Sequence, residues 1–358
     1  MQLVEYRCSL DFRKKINAKV KIIGICVDLR WRGVMQSYRI TKNFTIEPET
    51  EEGSYSLKEY AKIKITRAGV CSSDVVAFAG KTDNVTLPLC PTRIAVGLVS
   101  ESDDITLRKG QRVMLSPYTR LENGKYVING LDNDGYLADY VFAPLHNIYT
   151  VPTGVSDTAF TFIEDIAMAL NVIEKLDVEK THYVMLYGCT SVNLILAQLC
   201  IYYQAIPIII DNDNARLSIA QDLGVYYCIN YVEEDVLQKL KEITSGKLVE
   251  YLILDSDICG EVGKMLSYVR KDGKVAIVGF DTSNPSLKGD FSPVVNNQLT
   301  IYGISDGYGE IETAINMLAT GTVKVDALIA QEVDISEAQT TFSDLAKQSN
   351  YLKTIFKC

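Results

Sequence analysis

The chain has 358 residues, of which 47% are hydrophobic and 23% charged, and carries a formal net charge of −9. That length exceeds what one hydrophobic core usually serves and predicts two domains, while the composition excludes a disordered or fibrous chain. The negative charge, with no Lys/Arg cluster interleaved with aromatics to offset it, argues against nucleic-acid binding.

In chain order, residues 1–15 mix Glu5, Arg7, Asp11, Arg13, Lys14 and Lys15 among apolar residues, so no signal-peptide h-region is expected. No stretch reaches the roughly 18 apolar residues of a membrane span. Residues 1–33 form an N-terminal extension with no assignable role, although 18–29 is strand-like. Residues 34–150 carry short runs rich in Val, Ile and Tyr, broken by Gly, Pro and Asn, which predicts a mostly β domain. From residue 151 the pattern becomes strand and helix in alternation. Ser156 is read as the N-cap of one long helix through Ala169 and Leu176. Strands are predicted at 182–187, 206–210, 226–230, 250–255, 274–280 and 299–304, with helices at 192–203 and 215–223, the second stopped by Gly224. Six such strands predict a doubly wound dinucleotide-binding fold over 151–324. Residues 325–358, with a strand-like stretch at 352–357, are expected to rejoin the β domain. The nine cysteines are odd in number and scattered, with no C-x-x-C pair, which fits reduced thiols in a cytoplasmic protein.

Four motifs carry a resemblance. Ala68-Gly69-Val70-Cys71-Ser72-Ser73-Asp74 resembles the G-I/V-C-x-S-D signature of zinc-type medium-chain alcohol and polyol dehydrogenases, of which the sorbitol enzymes are an example. Lys109-Gly110-Gln111-Arg112-Val113 is similar to that family's G-D-R-V turn, and Asp134-Gly135-Tyr136-Leu137-Ala138-Asp139-Tyr140 to its G-G/A-F/Y-A-E-Y strand. Residues 162–170 resemble the helix that bears a family metal ligand. The matches run in register from about residue 34 to 358. The resemblance implies an α/β chain with a GroES-like mostly β domain over 34–150 and 325–358, and a Rossmann domain over 151–324. It also implies hydride exchange between NAD(H) and a small-molecule alcohol or carbonyl, and a homodimer paired through the 299–304 strand, whose open apolar edge would otherwise invite aggregation.

The chain departs from the family where the chemistry lies. Cys71 and Glu164 fall on two metal-ligand positions, but Thr92-Arg93-Ile94 stands where the family has G-H-E. A guanidinium cannot ligate a metal and its charge opposes a nearby dication, so no catalytic zinc is expected unless Cys90 or Asp165 joins a rearranged shell. Residues 115–134 lack the four cysteines of the family's structural zinc. Arg93 has two open readings: an electrophile for a substrate oxygen, or a partner for Glu164 or Asp165 that fills the vacated metal pocket. Ser73 matches the family's proton-relay hydroxyl, or is a backbone-bonding turn residue.

On the cofactor side, Gly188-Cys189-Thr190-Ser191-Val192-Asn193 stands where the family has G-x-G-x-x-G, and only the first glycine is kept. Thr190 and Asn193 place side chains where backbone should approach pyrophosphate and helix should approach strand, although Ser191 and Val192 open a helix whose N–H groups can still receive phosphate. Asp211, 23 residues after Gly188, is read as the ribose-binding acid that favours NAD over NADP, with helix capping as the plain alternative. Arg216 covers the adenine or is solvated, and Val278-Gly279-Phe280 resembles the segment beside the nicotinamide. His146 and His182 are assigned no catalytic or metal role. The expected activity is NAD(H)-dependent interconversion of a secondary alcohol or polyol and its carbonyl; the alternative is a degenerate relative that binds a nucleotide or partner without hydride transfer.

Overall fold

A computed structural model describes residues 30–82, 85–255, 262–279, 289–347 and 352–358. The strand-like run at 18–29 and Phe280 lie outside them. The first strand, Arg30–Lys42, begins within the stretch left without a role, and pairs antiparallel with Thr45–Ser56 in a long two-stranded ribbon.

The larger β unit is a seven-stranded sheet. Its path runs Ile329–Asp334, Lys353–Lys357, Tyr60–Gly69, Ile94–Glu101, Arg112–Leu115 and Ile148–Thr150, with Tyr140–Pro144 pairing Tyr60–Gly69 from the side. The Lys353–Lys357 strand lies antiparallel to the end of Tyr60–Gly69. This close packing explains Gly69: a Cβ there would stand 2.9 Å from Lys353 Cε and 3.0 Å from Thr161 Cβ.

The second sheet is parallel throughout. Its six strands, Tyr183–Tyr187, Ile206–Asp211, Tyr227–Asn230, Val249–Asp255, Val269–Val278 and Thr300–Ile304, lie in the spatial order third, second, first, fourth, fifth, sixth. Strands covered on both faces need no polar alternation, which is why Ile208, Ile209 and Ile210 are consecutive and all fully buried. The order reverses between Tyr183–Tyr187 and Val249–Asp255, so the crevice of a doubly wound fold opens at the carboxyl ends of those strands, beside Gly188 and Asp255. The helix expected from Ser156 to Leu176 is two helices. Ser156 caps Asp157–Phe160 by accepting from Ala159 N, and a new helix runs Ile163–Leu176. At the break Thr161 sits against Gly69 and its hydroxyl donates back to Thr158 O at 2.7 Å. The break puts Glu164 and Asp165 in a first helical turn, where the helix dipole favours carboxylates. Ile94, Val96, Met114, Tyr118 and Ile355 of the β unit share one apolar cluster with Phe162, Ile166 and Leu194 of the parallel unit, so the seam between them is packed.

Thr92, in the turn before Ile94–Glu101, is fully buried at φ +65, a conformation that suits glycine. Its backbone is clasped closely enough that a Cβ on Gly135 would lie 2.2 Å from Thr92 O, so the turn cannot relax. Thr92→Gly is therefore expected to stabilise the protein by about 1 kcal/mol, left-handed strain being relieved against the added freedom of the unfolded chain. Urea unfolding of the two proteins checks this; a less stable variant would show that the threonine side chain contributes more than its strain.

Candidate active site

Cys71 is the N-cap of the short helix Ser72–Phe78, and Asp74 closes that turn by accepting from Cys71 N at 2.8 Å. Its other oxygen accepts from Thr92 N at 3.0 Å. One buried carboxylate thus fixes the segment bearing Cys71 and Ser73 against the segment bearing Arg93. Burial raises the Asp74 carboxyl to about 6, opposed by Arg93 and the two N–H donors.

Arg93 enters the space these segments frame. Its Nη1 donates to Glu164 Oε1 at 2.8 Å, with both side chains more than nine-tenths buried, and its Nη2 donates to Ser73 Oγ. Cys71 Sγ donates to the other Glu164 oxygen at 3.3 Å. Cys71, Ser73, Arg93 and Glu164, named from distant motifs, therefore form one bonded group. Burial works against the Arg93 charge, but Glu164 outweighs it, with Asp74 adding to the effect, so Arg93 is held protonated. Burial, then the Glu164 charge, push the Cys71 thiol well up, so it stays neutral. Asp165 turns instead to Lys353 Nζ, which also lies 5.2 Å from the Phe162 ring centre.

Sequence reading gave no role to Asp74, which it quoted in a motif, nor to Lys353 or Tyr118. A lysine within an apolar terminal strand was the available signal for Lys353. Tyr118 offered none.

The residues read as cofactor-side lie at and just beyond the carboxyl ends of the parallel strands. Gly188 turns the chain at φ +90 after Tyr183–Tyr187, and Thr190 caps the helix Ser191–Tyr202 by accepting from Asn193 N at 3.2 Å. Asn193 fills the third glycine's place and donates to Tyr187 O and Gly188 O, both at 2.9 Å. Ser191 and Val192 open the helix, where backbone N–H groups have no intrahelical partner. Asp211 ends its strand 1% exposed. Its oxygens accept from Cys189 N at 2.7 Å, Asp213 N at 2.9 Å and Arg216 Nη2 at 2.7 Å. Those donors hold its carboxyl below the usual range against the cost of burial, so Asp211 is ionised. Arg216 lies on Asp211. Val278 ends the fifth strand and Gly279 N bonds Ile304 O at 3.0 Å.

Residues 58–153 match the profile described as "Alcohol dehydrogenase GroES-like domain", and residues 191–320 match "Zinc-binding dehydrogenase". The chain belongs to the zinc-type medium-chain alcohol and polyol dehydrogenases. Within that oxidoreductase family it is 28% identical over 308 residues to a zinc-type alcohol dehydrogenase-like protein of Haemophilus influenzae, spanning 81% of this chain and 89% of that one. It is 25% identical to a sorbitol dehydrogenase of Halalkalibacterium halodurans over 86% of this chain and 93% of the other. The fold superposes with TM-score 0.79 and 19% identity on an alcohol dehydrogenase of Escherichia coli CFT073 complexed with NADH, covering 91% of this chain and 99% of that one.

Zinc, which the family implies, does not suit this site. Two of its ligand positions hold Cys71, bonded to Glu164, and Glu164, already paired to Arg93, and the third is Arg93 itself. Among the described residues no three His, Cys, Asp or Glu side chains are grouped to hold a metal. Removing Arg93 should leave Glu164 charged, buried and unpaired. Arg93→Ala is therefore expected to cost about 3–5 kcal/mol in stability, whereas Arg93→Met combined with Glu164→Leu should recover most of it. Equal stability of the single and double variants in chemical denaturation would refute the pairing as a structural element.

Proposed function

We propose that the chain is an NAD(H)-dependent dehydrogenase that interconverts a secondary alcohol or polyol and its carbonyl without catalytic zinc. The observation that carries this reading is the Arg93 guanidinium, bonded to both Glu164 and Ser73 where the family sets a metal ligand.

The cofactor-side residues fit a dinucleotide at both ends. Gly188 has the left-handed backbone that lets a chain pass close to phosphate, and Ser191 and Val192 open the helix that follows that turn, where N–H groups suit an anion. Asp211 is ionised at the position that takes ribose hydroxyls. Because its oxygens already accept from Arg216, a bound ribose displaces that arginine toward solvent. Val278 and Gly279 bound the nicotinamide end. When bound, the cofactor supplies the hydride. Arg93 supports the negative charge that gathers on the substrate oxygen, the role a metal has elsewhere. Glu164 holds the guanidinium in place, Ser73 presents a hydroxyl at its other nitrogen, and Cys71 remains a neutral donor on Glu164. Thr300–Ile304 is the sheet's edge strand with Ile301 37% exposed, which supports pairing into a homodimer. The free thiols among the described residues fit a cytoplasmic setting.

Asn193 in the third glycine's place and the saturated Asp211 favour a second reading, a relative that binds a nucleotide without turnover. Calorimetry with NADH and NADPH, followed by assays on sorbitol, 2,3-butanediol and their carbonyl partners, separates the two. The proposal expects NADH to bind at least tenfold tighter than NADPH, the preference to shrink in Asp211→Ala, and turnover at well under one zinc per chain by elemental analysis. Bound NADH with no turnover on any carbonyl would establish the second reading, and stoichiometric zinc would overturn the metal-free one. Light scattering should give twice the 39.8 kDa chain mass.

A further inference from the structure

Tyr118 opens the strand Tyr118–Arg120 and is 3% exposed. Its hydroxyl accepts from Gly307 N at 2.9 Å, across the seam between the two units. Its ring packs edge-on against Tyr126 at 5.6 Å and Tyr308 at 5.7 Å, while those two stack on each other at 4.0 Å. Ring and oxygen are thereby fixed. The phenol is close enough to Glu164 and Arg93 that both charges act on it, and burial followed by Glu164 pushes its pKa well up, so it keeps its proton. Among the described residues no acceptor takes that proton.

Arg93 shows the same surplus of donors. Its Nε–H is buried without a partner, on the guanidinium edge shared with the Nη2 that holds Ser73. A buried donor left unmade costs about 1–3 kcal/mol, so each of these two needs an explanation. Both are suited to the same object, an uncharged oxygen with two lone pairs.

We infer that Tyr118 is a further catalytic residue, donating its phenolic proton to the reacting oxygen of a carbonyl substrate while Arg93 Nε–H donates to the same oxygen. The inference rests on the dehydrogenase reading above. When the carbonyl carbon accepts hydride from a reduced nicotinamide, the C=O π pair moves onto oxygen, the Tyr118 O–H bond breaks and the new alcohol O–H bond forms. An alkoxide is far more basic than a phenolate, so the transfer runs downhill even from a phenol weakened by burial. The resulting phenolate is held by Gly307 N–H and the Arg93 charge until water returns its proton. Oxidation of an alcohol runs through the same atoms in reverse.

Isobutyramide, which presents a carbonyl oxygen and cannot be reduced, tests the pocket without turnover. Calorimetry on the NADH-loaded protein should show Tyr118→Phe binding the amide about tenfold more weakly than the parent, the loss of one hydrogen bond, with NADH affinity unchanged and the melting temperature lowered by a few degrees because Gly307 N–H loses its acceptor. Equal affinity in the two proteins would overturn the inference, as would a parent protein that binds NADH but not the amide. If Tyr118→Phe does not fold, a crystal structure of the parent with the amide decides: its oxygen within hydrogen-bond reach of Tyr118 supports the assignment, and an oxygen beyond about 4 Å refutes it. A parent that binds the amide in this way yet oxidises NADH with no carbonyl leaves the donor assignment standing and removes the dehydrogenase reading.

Discussion

Buried charge must be balanced where it stands, and that constraint organises the centre of this protein. Glu164 and Asp165 are adjacent carboxylates in the first turn of a helix packed into the seam between the two units. Each is answered by its own cation from a different part of the β unit, Arg93 from the turn before Ile94–Glu101 and Lys353 from the strand Lys353–Lys357. Isolated ions in such surroundings would lose several kcal/mol of hydration, so these side chains are tolerable only as pairs. Asp74 performs the matching task for the backbone by gathering the N–H groups of Cys71 and Thr92.

The dehydrogenase fold normally places a dication at such a site. A metal draws in negative ligands and lowers the pKa of what it binds, whereas a guanidinium is one positive charge with a planar set of donors and no vacant coordination position. Under the function proposed above, such a pocket holds and orients an oxygen, and proton supply falls to protein hydroxyls. The difference between the two cations also explains why the thiol in a metal-ligand position stays neutral, since nothing of sufficient charge is near enough to ionise it in so buried a place.

Much of the fold was legible because its signals are local. The apolar strands at regular intervals, the Ser156 cap and the Gly224 stop depend on a few neighbouring residues; the cap and the stop lie where the pattern put them, while the fifth strand, expected at 274–280, runs Val269–Val278. The break at Thr161 was not legible, since Thr161 packs against Gly69, a contact distant in sequence that no periodicity records. The same division holds at the candidate site. Cys71, Ser73, Arg93 and Glu164 could be named because motif positions carry them, and Arg93 drew notice because it violates the motif. Lys353 and Tyr118 act through partners far away in sequence, Asp165 and Gly307, and only the fold brings those together. Asp211 stood where expected, yet the closeness with which Arg216 covers it depends on side-chain geometry that spacing cannot supply.

The pairing of Lys353–Lys357 beside Gly69 also orders events in time. The β unit is started by the early part of the chain, but the strand that seats beside Tyr60–Gly69 arrives after the whole parallel sheet has been made. Such pairings are slow to form, because a long loop must close before any contact compensates its entropy. Lys353 is made 188 residues after Asp165, so a nascent chain carries the carboxylate before its cation exists. The parallel unit can assemble its own core in that interval, while the half-built β sheet keeps an edge open. The domain begun first thus waits on a strand made after the parallel unit, and the Asp165–Lys353 pair can close only once that strand is in place.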